Sequence, residues 1–577
     1  MQRLIRRRPE ASTDLVDSGL HPVLARVFAA RGVADSEELQ HGLDRLLPPT
    51  DMLGLDRAAT LLADCIDQER SVLIIGDFDA DGATSTAVAM TLLRAMGARR
   101  VDYLVPNRFD YGYGLTPEIV EHAATDNPDL IVTVDNGISS IEGVALATRL
   151  GIRTLVTDHH LPGKELPAAD VIVNPNQHGC GFASKNLAGV GVIFYTMSAL
   201  RGELRQRGWF AERGIEEPNL AEVLDLVALG TVADLVPLDY NNRILVQQGL
   251  LRIRAGRSRP GILALLEVAS RSSQRLVASD LSFAVAPRLN AAGRLDDMST
   301  GIACLLAEDE AGARDYADQL DSLNRDRQLI ERGMQTEALQ ILESFFEQSQ
   351  GEIPNSFCLY DSGWHQGVVG ILASRIKERL HRPTIAFADS DADSIKGSAR
   401  SIPGLHIRDV LERVSTLHPG LIDKFGGHAM AAGLSLQRAS LEDFSDAFEK
   451  QVSAHLDAVE LQAVVESDGE LACSELGLGL ASTLRYAAPW GQHFPEPVFD
   501  GEFQLVHQRI VGERHLKLVL SHNDDPNTLL DAIAFNVDLD SWPDHSAERV
   551  RVAYRMDCNY YRGEEKLQLM VEHLERC

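Results

Sequence analysis

The sequence is poor in the features that would place a protein outside the cell or within a membrane. Its seven cysteines (Cys65, Cys180, Cys304, Cys358, Cys473, Cys558 and Cys577) are odd in number and form no C-x-x-C pair. That excludes a disulfide framework and points to a reducing compartment. The nearest approach to a metal pair among them, His178-Gly179-Cys180, has no partners and reads as a turn. No run of eighteen apolar residues occurs, so no membrane-spanning helix is expected. Arg3, Arg6, Arg7 and Arg8 open the chain without a following apolar segment, so a secretory signal is not expected and the expected location is cytoplasmic. Positive charge is short as well: 55 Lys and Arg against 84 Asp and Glu leave a formal net charge of −29. Such a balance excludes a protein that coats duplex nucleic acid non-specifically, because that footprint is basic. A locally basic channel in an acidic molecule stays compatible with it. Internal repeats and low-complexity segments are also missing.

What is present has the proportions of a multidomain globular chain. With 577 residues it exceeds a single core, and roughly three or four domains are expected. Residues 1–50 read as a short helical lead-in ending at Leu47-Pro48-Pro49. Over 51–240, strand-forming runs alternate with helical periodicity at βαβ spacing, which predicts an α/β fold built on a doubly wound parallel sheet. Strands are expected near 71–75, 101–105, 130–134, 154–157 and 171–173, and helices near 84–96, 117–124, 140–150, 188–200 and 220–230. A connector at 241–352 follows, whose stretch 301–350 reads as one or two long solvated helices. A smaller α/β domain is expected at 353–456, with strands near 356–360 and 384–387. From 461 to 577 the pattern turns to five short β-runs, compatible with a small barrel.

Four acidic clusters carry the chemistry: Gly76-Asp77-Phe78-Asp79-Ala80-Asp81-Gly82, Asp135-Asn136-Gly137, Asp158-His159-His160 and Ala233-Asp234. The first three follow strand-forming runs. In a parallel sheet the carboxyl ends of the strands share one edge, so residues far apart in sequence converge there. Any one such Asp is usually a helix cap or an Asx-turn. Four clusters with a His pair exceed what capping explains. Asp77, Asp79, Asp81 and Gly82 also imitate the start of a calcium loop, but its twelfth position is Val88 rather than Glu, and a strand precedes it. Converging carboxylates repel one another unless cations neutralise them. Asp oxygens with neutral imidazole suit Mn²⁺ or Mg²⁺, and the pattern reads as a two-cation hydrolase site. Asp135 is the candidate bridging ligand, since its loop lies between the others.

The motifs GDFDADG, VDNG, DHH and FGGHAMAAG (Phe425 to Gly433) resemble those of the DHH phosphoesterase superfamily with its DHHA1 companion domain. Further segments, PNRFDYGYGL (Pro106 to Leu115), PRLNAAGR (Pro287 to Arg294), GWHQGVVGI (Gly363 to Ile371) and KGSARS (Lys396 to Ser401), are similar to its branch of single-strand-specific 5′-to-3′ DNA exonucleases. The resemblance covers the chain from about Leu55 to the C-terminus. It implies a DHH catalytic domain at 51–240, a DHHA1 substrate-binding domain at 353–456 and an OB-fold at 461–577. It also implies a metal-dependent nuclease acting in DNA repair and recombination, with single-stranded DNA, a helicase and a single-strand-binding protein as partners.

By the same resemblance, Asp79 and Asp77 complete one cation with Asp135, while Asp81, His159 and Asp234 complete the second. His160 contacts the scissile phosphate or protonates the leaving group, and Asp158 orients the adjacent imidazole. Relatives acting on smaller substrates carry a His four residues before the equivalent of Asp79; here that position is Ile75, and Asp77 is the expected substitute. Arg108, Ser398 and Arg400 resemble a pocket for a 5′-terminal phosphate, which an Arg fork grips well. Arg288, Asn290 and Arg294 are expected groove residues. Gly426, Gly427 and His428 allow close approach to a phosphate, or simply form a turn. Tyr111 and Tyr113 either stack bases at the entrance or pack in the core. Tyr560, Tyr561 and Arg562 are a candidate stacking platform, whereas Trp490 is expected to pack inside. Two other functions remain compatible with the fold: a phosphodiesterase for short oligonucleotides or cyclic dinucleotides, and a non-catalytic DNA-binding scaffold.

Overall fold

The computed structural model describes all residues except 1–2, 10–14, 16–18, 108–113, 349–352, 392, 456–460, 540 and 562. Two compact units emerge, one of residues 7–324 with 467–577 and one of residues 325–466 with the N-terminal six residues.

The chain begins with strand β1 (Leu4–Arg7), followed by α1 (Pro22–Ala29), short 3₁₀ turns and α2 (Leu55–Asp67). The α/β core then runs β2 (Val72–Gly76), α3 (Ala80–Ala95), β3 (Val101–Leu104), α4 (Pro117–Ala124), β4 (Leu130–Val134), α5 (Ile141–Arg149), β5 (Arg153–Thr157) and β6 (Val171–Val173). Helices α6 (Gly189–Gln206), α7 (Trp209–Arg213), α8 (Leu224–Ala233), α9 (Tyr240–Arg254), α10 (Pro260–Val268) and α11 (Ala278–Asp280) lead to a π-helical segment, Leu281–Val285. That segment runs into α12 (Ala286–Leu295), with α13 (Ser299–Leu306) and the 39-residue α14 (Glu310–Gln348) beyond.

Strands β2 to β6 form one parallel sheet in the order β3-β2-β4-β5-β6. The order reverses beside β2, so the crevice where such sheets bind ligands opens between the ends of β2 and β4. Alternate residues feed two cores: Val72 and Ile74 face the larger one, Leu73 and Ile75 the smaller one under α4 and α5. Burial on both faces is why these strands read as unbroken apolar runs.

The DHHA1-like unit holds β7 (Phe357–Tyr360), α15 (Val369–Leu380), β8 (Thr384–Asp389), β9 (Ser394–Arg400), α16 (Ile407–Leu417), β10 (Lys424–Gly427), β11 (Ala431–Gln437) and α17 (Leu441–Ala454). Its sheet runs β10-β11-β9-β8-β7. Three of these strands escape sequence reading, because Gly, Ser, Lys and Ala in β9 to β11 have low strand preference and are held by pairing with neighbours. After β12 (Val464–Ser467) and α18 (Leu478–Tyr486), strands β13 (Phe499–Val511), β14 (His515–His522), β15 (Asp525–Ala534), β16 (Arg549–Tyr561) and β17 (Glu564–Arg576) close into a five-stranded barrel.

One expectation changes. The first residues are not purely helical, since β1 pairs with β12 in a two-stranded sheet. The opening arginines serve it: Arg6 pairs with Glu466 at 3.3 Å, Arg7 with Asp500 at 2.9 Å, and Arg8 with Asp468 at 3.6 Å. The barrel packs against the α/β core. Trp490 is buried as expected, and its ring stacks on Phe28 at 5.6 Å and Phe494 at 5.3 Å. The apolar core of that unit is continuous from α1 through the parallel sheet's helices into the barrel.

Candidate metal centre

The edge of the parallel sheet collects the acidic clusters as the strand order predicts. Asp77 follows β2, Asp135 follows β4, and Asp158 with its two His follows β5. Asp234 caps the C-terminus of α8. Among the described residues, ligand atoms lie within 4.8 Å of one another in three trios: Asp77, Asp79 and Asp135; Asp81, His159 and Asp234; Asp135, His159 and His160. Asp135 and His159 each belong to two of them. That sharing is the geometry a pair of neighbouring cations requires.

Each side chain is aimed by local structure. Asp79 is indeed a helix cap, its Oδ1 accepting from the N–H of Asp81 at 2.9 Å and of Gly82 at 3.0 Å. The capping and metal readings therefore hold together, because one oxygen caps and the other is left for a cation. Asp81 accepts from the first N–H groups of α6, Gly189 at 2.6 Å and Val190 at 2.9 Å. Asp135 sits at φ +63°, a backbone state costly for a residue with a side chain. The amide of Asn136 donates to Ile75 O at 3.0 Å and Val134 O at 2.9 Å, tying the ends of β2 and β4 together.

Asp158 is fully engaged. Its Oδ2 accepts from Ile138 N–H at 2.9 Å, and its Oδ1 meets Nδ1 of His160 at 2.7 Å. The imidazole it orients is thus His160. Asn174 and Asn176 hold the backbone of the pair by donating to the carbonyls of His160 at 2.9 Å and His159 at 2.6 Å.

Electrostatics follow from burial and crowding. Burial, then the neighbouring Asp79, pushes Asp77 well above the usual carboxylate range; burial, then Asp81, does the same to Asp135. Burial and Asp234 push Asp81 up to about 7, and burial and Asp79 push Asp234 up to about 7. Carboxylates this reluctant to ionise together call for cations. Burial lowers His159, with His160 adding to it, so its ring is neutral. Its Nε2 lies 3.2 Å from Asp135 and 3.5 Å from Asp234, buried and without a hydrogen bond, as a ligand lone pair would be. Burial opposes the charge of His160, but the Asp158 hydrogen bond together with the charges of Asp158, Asp234 and Asp77 prevails and raises it to about 9. Burial also disfavours the Asp158 anion, yet the hydrogen bond from His160, the electrostatic pull of both imidazoles and the Ile138 N–H together outweigh it and its pKa falls.

The remaining candidates divide. Arg288 binds Asp321 through Nε at 2.9 Å and Nη2 at 2.8 Å, which commits its guanidinium inside the fold. Asn290 accepts from Ala80 N–H at 2.8 Å and so faces the metal loop rather than an open groove. Arg294 lies half-buried in the last turn of α12. In the DHHA1-like unit, Arg400 donates to Ser398 Oγ at 2.9 Å, and burial lowers its pKa. Gly370, in the first turn of α15, passes so close that a Cβ there would lie 2.8 Å from Arg400 Nη2 and 3.0 Å from Ser398 Oγ. An Arg, a Ser and a helix N-terminus are the kinds of donor from which anion sites are built. Gly426 and Gly427 end β10, beside the strand that pairs with Ser398 and Arg400. Gly427 has φ +143°, and a Cβ there would meet Ala431 O at 2.5 Å, so the hairpin itself requires glycine; His428 closes it on Ala431 O at 2.8 Å. Arg108, Tyr111, Tyr113 and Arg562 lie outside the described residues, as does the side chain of Tyr561. The exposed ring of Tyr560 carries the guanidinium of Arg275 at 3.9 Å.

Sequence reasoning missed Gly189, Asn174 and Asn176. A Cβ on Gly189 would lie 2.6 Å from Asp135. Phe283 is 74% exposed on the π-helical segment, whose Ser282 donates to Val232 O at 2.9 Å, beside Asp234. Only the paired asparagines in Asn174-Pro175-Asn176 carried a signal, as turn formers after a strand.

Residues 71–231 match the N-terminal domain of the DHH family, 354–454 the DHHA1 domain and 467–573 the RecJ OB domain. The chain is 58% identical over 99% of its length to a single-stranded-DNA-specific exonuclease RecJ of Dickeya dadantii, 98% of which is covered. It is 54% identical to the RecJ exonuclease of Escherichia coli over 99% of this chain and 98% of that one. The crystal structure of RecJ from Thermus thermophilus in complex with Mn²⁺ superposes with a TM-score of 0.82 at 29% identity, over 100% of this chain and 80% of that one. A Mg²⁺ complex of the same protein gives 0.76 at 27% identity, over 100% and 79%. This chain belongs to the RecJ family of DHH proteins.

Proposed function

We propose that this chain is a divalent-cation-dependent exonuclease that degrades single-stranded DNA from the 5′ end to nucleoside 5′-monophosphates. The observation that carries the reading is the set of overlapping ligand trios on one sheet edge, with Asp135 and His159 shared between them. End-to-end similarity to proteins named single-stranded-DNA-specific exonucleases supports the substrate. A relative solved with Mn²⁺ and with Mg²⁺ supports the cations.

When bound, two divalent cations supply an activated water and offset charge on the leaving oxygen. Asp77, Asp79 and Asp135 would hold one and Asp81, His159 and Asp234 the other, with Asp135 the residue that would be shared between them. The neutral ring of His159 presents its lone pair to that shared space. His160, kept protonated by Asp158, donates to the scissile phosphate or its leaving oxygen. Arg400, Ser398 and the first turn of α15 grip the 5′-phosphate. The barrel holds the strand further along. Its setting is DNA repair and recombination in the cytoplasm, where a helicase opens duplex and a single-strand-binding protein covers the strand; the need for an open strand supports this setting.

With Mn²⁺, the chain is expected to release mononucleotides from 5′-phosphorylated single strands while sparing blunt duplex and RNA of equal length. Release from the 3′ end, or a preference for RNA or cyclic dinucleotides, would overturn the reading.

A further inference from the structure

The α12 helix carries the segment PRLNAAGR, whose polar residues look like a nucleic-acid contact, yet Asn290 and the backbone at Gly293 face the loop of Asp77, Asp79 and Asp81. Asn290 Oδ1 accepts from Ala80 N–H at 2.8 Å. One turn along, Gly293 brings α12 against the loop so closely that a Cβ would lie 1.7 Å from Phe78 O. The helix is itself pinned by the Arg288 pair with Asp321 at 2.8 Å.

The N–H groups of Ala80, Asp81 and Gly82 in the first turn of α3 have no partners inside the helix. Asp79 Oδ1 takes those of Asp81 and Gly82. The third, on Ala80, goes to Asn290. Ala80 lies between two of the acids that form the trios, so its position fixes where both carboxylates point. Phe78, held by Gly293, lies between Asp77 and Asp79 in the same way.

We propose that Asn290 is a positioning residue of the metal loop, setting Asp79 and Asp81 for cation binding rather than contacting DNA. The proposal rests on the two-cation reading above. Buried partners of metal ligands typically contribute roughly 10–100-fold to metal affinity. The test compares the full chain with Asn290→Ala and Asn290→Asp, using free Mn²⁺ measured by electron paramagnetic resonance and the kinetics of 5′-phosphorylated single-stranded DNA. Asn290→Ala is expected to bind at least one Mn²⁺ roughly tenfold more weakly and to lose kcat at fixed sub-saturating Mn²⁺, with KM for DNA unchanged. Asn290→Asp keeps the acceptor and is expected to restore Mn²⁺ affinity. A DNA contact would behave oppositely: Mn²⁺ binding would be unchanged, KM would rise, and the added negative charge of Asn290→Asp would raise it further. That pattern overturns the proposal, as does unchanged Mn²⁺ affinity in Asn290→Ala. If Asn290→Ala does not fold, Asn290→Asp decides by itself, since lost Mn²⁺ affinity or a raised KM there refutes the role. Failure of the two-cation reading is recognised separately, as absence of Mn²⁺ binding in the unaltered chain.

Discussion

Substituting Gly189 by Ala would place a methyl carbon 2.6 Å from both Cβ and Oδ1 of Asp135 and 2.7 Å from its Cγ. Carbon atoms settle about 3.5–4.0 Å apart, so roughly 1 Å of movement is needed. Helix α6 cannot supply it cheaply, because Gly189 and Val190 N–H are bonded to Asp81 and Val190, Val192 and Ile193 are fully buried. Either Asp135 shifts or Asp81 loses its donors, and both acids belong to the trios. Overpacking of this kind costs about 1–3 kcal/mol of stability, which a thermal melt would detect. A misplacement of about 1 Å at a reacting centre costs on the order of 10²-fold in rate. The assay is kcat/KM on a 5′-phosphorylated single strand at saturating Mn²⁺, beside Mn²⁺ binding. Gly202→Ala in the same helix is the control, since a Cβ there meets nothing within 4 Å. It should retain activity and gain up to about 1 kcal/mol from helix propensity. Wild-type kcat/KM in Gly189→Ala would refute the reasoning, because the contact with Asp135 would then be without consequence.

Cation binding should strengthen between about pH 6 and 8, since Asp81 and Asp234, pushed up to about 7, must give up protons to the ions. Calorimetry in buffers of different ionisation enthalpy would measure those protons; no proton release near pH 6.5 would count against the raised values. The sign for the cation-free protein is the reverse: raised folded-state values stabilise at low pH, so its melting temperature should fall from pH 6 to 8 and recover with Mn²⁺. Arg400→Ala should shrink the kcat/KM advantage of a 5′-phosphate over a 5′-hydroxyl; an unaltered ratio would move the phosphate pocket elsewhere. Phe283→Ala should leave stability within about 0.5 kcal/mol because the ring is exposed. If that ring stacks on a base, worth about 1–3 kcal/mol, KM for single strands should rise at least fivefold; an unchanged KM would remove it from the substrate path.

The acids after β2, β4 and β5 were legible in the sequence because strand periodicity and the parallel βαβ spacing are local signals, and a parallel sheet has one carboxyl edge. Local patterning likewise announced the barrel, although its strands run longer than their apolar centres: β16 and β17 each have 13 residues. Tertiary structure decided what no spacing encodes. It chose His160 rather than His159 as the partner of Asp158, because rotamer and backbone leave only the former's Nδ1 within 2.7 Å. It turned Asn290 from an apparent groove residue into a bond to Ala80, across 210 positions of sequence. It paired the arginine-rich start with β12, and it held the glycine-rich β9 to β11 as strands through neighbours rather than propensity. Residue types and their periods fix which groups reach an edge, but which of them touch there depends on contacts between segments distant in sequence, and those exist only once the chain has packed.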